Sequence, residues 1–286
     1  MTDRKFVDVP AGRIAYTESG DPDASVALYV HGVILNSYLW RHQLNKFAGI
    51  RRNIAVDLLG HGHTVANPGN TFTFDNQAEM LLQVLDALGI AEVDLVGNDS
   101  GTGIAQIFAV NHGDRVRSLV LTNGDVHDNW PPEAFAGVIA AVNAGQLPQI
   151  IDQLDTNHDF YRSPEGLGAG YQYPDKVSDA EIDAFITPYV DNPRQQADLT
   201  RFFGAFDNRQ TVSIEPKLRD LTVPTLVVWG TADVFFPARW AQWLADTIPG
   251  VRRVELIDDA ALALNEERAD EVNDAITAHW NSFLTD

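Results

Sequence analysis

Val93-Asp-Leu-Val-Gly97-Asn98-Asp99-Ser100-Gly101-Thr102-Gly103 is the stretch on which the fold turns. A short β-type run ends in a cluster of small residues, and Ile104, Ile107 and Phe108 then follow at helical spacing. The strand passes abruptly into a helix, with one acid at the tip of the pattern Gly97-x-Asp99-x-Gly101. Glycines on both sides let the backbone crowd into a tight bend that lifts the central side chain above the strand ends. The helix N-terminus below favours negative charge there. The N–H of Ser100 is placed to help bind an oxyanion. Asp99 is therefore the first candidate nucleophile. The competing readings are a plain helix N-cap, a nucleophilic Ser100 one place off the tip, and a dinucleotide fingerprint. Gln106 stands where that fingerprint needs its third glycine.

Outward from the bend, β-type runs alternate with helical patterns. Strands are expected at Phe6–Val9, Arg13–Glu18, Val26–His31, Asn53–Asp57, Val93–Gly97, Ser118–Thr122, Thr225–Gly230 and Val254–Ile257. Ala27-Leu-Tyr-Val30 and Leu226-Val-Val-Trp229 are continuously apolar, as in strands covered on both faces of a parallel sheet. Leu81, Val84, Leu85 and Leu88 mark a helix that Gly89 stops. Val272, Ile276, Trp280 and Phe283 mark the last one. The rhythm predicts an α/β fold with a mostly parallel eight-stranded sheet and helices on both sides. From about Trp130 to Pro216 no strand pattern appears, only helical fragments broken by proline and glycine. The core is thus expected at 1–129 and 217–286, with a helical cap at 130–216 over the carboxyl ends of the strands, where ligands bind in such sheets.

Composition narrows the function. The 286 residues carry 20 Lys plus Arg against 40 Asp plus Glu, a net charge of -20, so a phosphate-binding surface for nucleic acid is not expected. The same acidity disfavours anionic membranes, and it also keeps the chain soluble. With no cysteine, thiol catalysis, disulfides and Cys-zinc sites drop out. No apolar run reaches the length of a membrane span, and Met1–Pro10 lacks a signal-peptide pattern, which predicts a cytoplasmic protein. His61 and His63 form a His-x-His pair, a weak metal signal without further ligands nearby, so neither metal nor organic cofactor is expected. The acidic residues between Glu255 and Asp274 read as a solvated face.

Taken together, these motifs resemble the α/β-hydrolase superfamily, and within it the haloalkane dehalogenases and epoxide hydrolases that use an aspartate nucleophile. Val30-His31-Gly32 looks like the oxyanion-loop motif, and Asn36-Ser37-Tyr38-Leu39-Trp40-Arg41 is similar to the segment that follows it in dehalogenases. Asp57-Leu-Leu-Gly60-His-Gly62 looks like the family's Asp-x-x-Gly-x-Gly turn, and Trp229-Gly230-Thr-Ala-Asp233 like its acid-bearing turn. The resemblance implies that Asp99 attacks carbon to give an ester and that Val33 and Ser100 N–H groups hold the oxyanion. It also implies that Asp233 orients a histidine, with His31, Asn36 and Trp40 around the substrate or oxyanion loop.

The histidine is where the chain departs. Aligning Glu266-Glu267 with the family's acidic pair puts Leu262 at its place, and no histidine occurs between His158 and His279. Leucine takes no proton from water, so an aspartyl ester would be trapped. Ser100 and Val33 also replace the usual halide-binding residues of dehalogenases, and Ile34 replaces the proline of the epoxide-hydrolase His-Gly-x-Pro motif. Epoxide hydrolases of this branch use two cap tyrosines as proton donors. Tyr161, Tyr171, Tyr173 and Tyr189 all lie in the insertion, and the sequence selects no pair. His127, near the end of the strand beside the bend, is the candidate substitute base, with Asp125 or Asp128 as its partner, against the alternative that it is a solvated hinge residue. The expectation is a hydrolase of small apolar molecules cleaving an ester, carbon–halogen or epoxide bond through Asp99 with a non-standard base. The alternatives are a lyase or isomerase using Asp99 as general base, or a degenerate homologue that only binds its ligand.

Overall fold

The computed structural model describes residues 4–283. One sheet is formed by β1 (Arg4–Val9), β2 (Gly12–Ser19), β3 (Val26–Val30), β4 (Arg52–Val56), β5 (Val65–Ala66), β6 (Val93–Asp99), β7 (Val116–Gly124), β8 (Thr225–Gly230) and β9 (Val251–Ile257). Its order is β1-β2-β4-β3-β6-β7-β8-β9, with β5 paired to β2. From β4 to β9 all neighbours are parallel, while β2 is antiparallel to β1, β4 and β5. This is the α/β-hydrolase architecture expected above. The two-residue β5 is an addition, too short to leave an alternating pattern in the sequence.

Continuous apolarity in β3 and along Leu226–Trp229 of β8 has its cause in the two covering layers. Every residue of these strands, and of β6, is buried. Leu28 and Val30 face Leu81, Leu85, Ile104 and Phe108 on one side. Ala27 and Tyr29 face Leu44, Phe47 and Trp280 on the other. A strand sandwiched this way has no face left for polar residues. The helix Phe74–Ala87 starts at Thr73, whose hydroxyl accepts from Asn76 N–H (3.2 Å). It ends on Gly89 at φ 66°, with Gly89 N–H on Asp86 C=O and Ile90 N–H on Leu85 C=O. That is the left-handed stop that glycine makes cheap.

Between β7 and β8 the chain is helical. Helices run over Ala136–Asn143, Leu147–Thr156, Asp179–Ile186 and Pro193–Gly204, with shorter turns between them. Ser178 and Glu181 cap one of them reciprocally. Asn192 caps another through Gln195 N–H (3.2 Å) ahead of Pro193 at its first turn. Residues of this segment and of the strand ends line one common cavity. Among the described residues no single helix is long and apolar enough to cross a membrane.

Candidate active site

The bend after β6 is built by close backbone approach. Asp99 sits at φ 56°, ψ −126°, outside the regions open to most L-residues. A bulge between Gly97 and Asp99 re-aims the strand just before it. A Cβ on Gly101 would lie 2.0 Å from the Val30 carbonyl oxygen, and one on Gly97 2.4 Å from the Gly101 carbonyl oxygen. Gly101→Ala is therefore expected to lower unfolding free energy by about 2–3 kcal/mol, measured by urea denaturation, because only backbone can yield.

The side chain so raised does not cap its helix. Asp99 is 6% exposed and lines a cavity of about 170 Å³. Its Oδ2 accepts from Val33 N–H (2.9 Å), and Ser100 N–H also faces the carboxylate. Burial pushes its carboxyl up to about 7; the Val33 N–H opposes this, and the charge of Asp233 adds to it. Gly32 leaves the space: a Cβ there would stand 2.0 Å from Asp99 Oδ2. The two N–H groups that the resemblance assigns to the oxyanion thus both meet the Asp99 carboxylate.

Asp233 is buried in the turn after β8. Its Oδ1 accepts from Phe235 N–H (2.8 Å) and Phe236 N–H (3.1 Å), and Oδ2 from Asn123 Nδ2 (2.7 Å). Burial raises it to about 6 against these three donors. No imidazole reaches it among these partners. Leu262 lines the cavity, and its carbonyl accepts from Asn98 Nδ2 (3.3 Å). Among the described residues no histidine, lysine or arginine lines the cavity.

His127 lies elsewhere. It has φ 49°, its Nε2 is 3.0 Å from Glu215 Oε2, and its ring packs 4.8 Å from that of Trp243. It is absent from the cavity wall, so the expected approach to Asp99 is corrected: the positive φ turns the side chain outward, against the start of the helix Glu215–Leu218. Asp125 does line the cavity, 1% exposed, with its N–H on the Asp99 carbonyl (3.2 Å).

Three further expected residues stand behind the wall rather than in it. His31 bonds Gly32 C=O through Nδ1 (2.7 Å) and accepts Leu58 N–H at Nε2 (3.0 Å), which ties the oxyanion loop to the turn after β4. Asn36 accepts Tyr38 N–H (3.0 Å) and donates to Ala184 C=O (2.8 Å). Trp40 is fully buried against Tyr29. Their place near the substrate is corrected to one of support, since loop position in sequence does not reveal which way a side chain faces. The Asp57 turn holds its loop as expected, with Ser37 N–H and His63 N–H both at 2.8 Å from the Asp57 carboxylate.

Sequence reasoning left the tyrosines unsorted. Tyr161 and Tyr171 both line the cavity, with hydroxyls 3.2 Å apart. Tyr171 Oη donates to Glu266 Oε2 (3.1 Å), and Glu266 pairs with Arg41, which also binds Glu181 (2.6 Å). Burial raises both phenols and keeps them protonated. Tyr189 is buried away from the cavity, and Tyr173 is 44% exposed. Tyr161 lies in the short helix His158–Arg162 and Tyr171 follows the turn Gly168–Gly170, so no single period links them and nothing in the sequence announces the pair.

A profile of the alpha/beta hydrolase fold matches residues 28–267, and the chain belongs to that family. It is an enzyme of hydrolase type. It is similar to Epoxide hydrolase 3 of Xenopus tropicalis, 33% identical over 280 residues that cover 92% of this chain and 73% of the relative. Among solved structures it resembles the epoxide hydrolase CorEH, with a TM-score of 0.81 at 17% identity over 98% of this chain and 99% of the other. It also resembles haloalkane dehalogenase DbeA of Bradyrhizobium elkani, with a TM-score of 0.79 at 22% identity over 96% of each. These two likenesses are of fold.

Proposed function

We propose that this enzyme hydrolyses epoxides of small apolar molecules, with Asp99 as nucleophile and Tyr161 and Tyr171 as proton donors. The observation that carries it is one cavity lined by a buried carboxylate and two hydrogen-bonded phenols, one buried and one half-buried. Leu35, Leu39, Trp130, Phe135, Phe206 and Phe235 make much of the remaining wall apolar. The relative from Xenopus tropicalis, an epoxide hydrolase by name, supports the same substrate class.

Ring opening follows from the parts. An Asp99 oxygen attacks an oxirane carbon, the carbon–oxygen bond breaks, and a phenolic proton passes to the departing oxygen. The product of this step is an Asp99 ester of a glycol. Its carbonyl oxygen would gain negative charge when water attacks, beside Val33 N–H. A carbon–halogen substrate fits less well, because Ser100 and Val33 bring no side-chain N–H to a leaving halide.

A second reading keeps the residues and changes the role of Asp99: it takes a proton from water, which opens the epoxide directly. Leu262 at the usual base position and an Asp99 carboxyl near 7 favour it. A single turnover of styrene oxide in H2-18O separates the two. An ester route delivers unlabelled oxygen from Asp99 to the first diol, and a base route delivers label. Absence of both diol and Asp99 adduct after mixing with styrene oxide overturns the epoxide assignment. The double variant Tyr161→Phe/Tyr171→Phe is expected to slow ring opening by about 10²–10⁴-fold, read by quenched flow, with styrene oxide affinity little changed.

A further inference from the structure

We propose that Asp125 is the base that hydrolyses the Asp99 ester, in the role Leu262 cannot fill. The inference rests on the ester route above. Proton acceptors on the cavity wall are few. Glu266 is occupied by Arg41 and Tyr171, and Glu165 is exposed at the rim. Asp233 is held by three donors and is not part of the wall. Asp125 remains. Its backbone is pinned beside the bend by its N–H on Asp99 C=O and by Gln106 Nε2 on its own C=O (2.9 Å). Its carboxyl is buried, Ser100 Oγ reaches it, and Oδ1 has no hydrogen-bond partner. A buried oxygen left unpaired beside a reacting carboxylate is costly unless water or substrate satisfies it.

The charged neighbour explains the timing. Asp125 is pushed well above the usual carboxyl range, first by burial and then by the charge of Asp99. With Asp99 ionised, loss of the Asp125 proton is disfavoured. Esterification of Asp99 removes that charge and makes the Asp125 proton easier to lose. The phenolate left by ring opening takes it, which restores the tyrosine. Asp125 carboxylate then removes a proton from water while the water oxygen bonds to the ester carbonyl carbon. The tetrahedral intermediate collapses, the bond to the glycol oxygen breaks, and that oxygen takes the hydroxyl proton. Asp99 returns as carboxylate and Asp125 as acid, and epoxide plus water has become diol. The other charged or titratable groups on the cavity wall are Tyr161, Tyr171, Glu266 and, at the rim, Glu165, with Asp233 acting on Asp99 from behind.

The test uses intact mass after rapid mixing of the whole chain with styrene oxide. Asp125→Asn is expected to accumulate one adduct per chain on Asp99 and to lose at least about 10²-fold in turnover. In Asp125→Ala, added formate is expected to restore adduct decay, which a merely structural role would not produce. Decay at the wild-type rate in Asp125→Asn overturns the inference, as does an Asp125→Ala adduct that formate leaves untouched. Should both variants fail to fold, Asp125→Glu decides: adduct decay slowed with adduct formation unchanged supports the inference, and decay at the wild-type rate overturns it. Diol formation with no adduct in wild type or in Asp125→Asn removes the ester route itself, and the inference with it.

Discussion

Asp99→Asn is expected to remove epoxide turnover, by at least about 10³-fold, and at the same time to stabilise the fold. An amide neither attacks carbon nor takes a proton from water, so both readings of the site lose their reactive group. The stability change follows from the sign of the carboxyl's shift. Burial raises Asp99 in the folded chain to about 7 from its ordinary 3.8. Folding therefore disfavours the charged form. The penalty is absent below about pH 4, grows as pH rises through the interval up to about 7, and is fully present above it. Asparagine carries none of it and still offers an oxygen to Val33 N–H. Urea unfolding is expected to show the variant more stable by on the order of 2–4 kcal/mol at pH 8, with the gain largely gone at pH 4. Equal stability at pH 8 would mean that the folded state pays nothing for this charge.

Leu262→His is the second large effect. The turn carrying Asp233 packs along the Leu262 loop, with Ala232 N–H on Ala260 C=O (2.9 Å). Asp233 accepts three hydrogen bonds, and an ionised carboxylate has room for a fourth. A new imidazole there can be oriented by that acid and can take a proton from water. Placed in the Asp125→Asn background, Leu262→His is expected to restore turnover by about 10²-fold or more. Adding Asp233→Asn should cancel most of the gain. The readout is adduct decay under single-turnover conditions. A rescue that survives loss of Asp233 would sink the idea that this acid is still poised for a histidine.

What was legible in the sequence follows short-range physics. The bend at Gly97–Gly101 was legible because crowding admits only glycine at two places, and β3 and β8 because two-sided burial leaves continuous apolar runs. Leu262 was readable from the flanking Glu266-Glu267 pair as the residue where the resemblance expects a histidine, and it lines the cavity. The side-chain directions were not legible. His127 and Asp125 are two residues apart at the same strand end, yet one reaches Glu215 and the other the cavity. A single positive φ separates them, and no composition rule encodes it. The same holds for Asn123, a polar residue closing an apolar strand: its hold on Asp233 depends on β7 and β8 being neighbours. The phenol pair depends on how the helical segment settles over the strand ends.

The loop that carries Leu262 is held mainly by groups other than that side chain. Ala263 N–H bonds Gly170 C=O (2.8 Å), Glu267 receives Gln172 N–H and Tyr173 N–H (both 2.7 Å), and Glu266 joins Arg41 to Tyr171. Scaffold and reactive chemistry are therefore separable at this position. A lineage can trade its proton carrier here in one codon and leave the architecture standing, so the surviving outline of such a protein is poor testimony to the route its reaction takes.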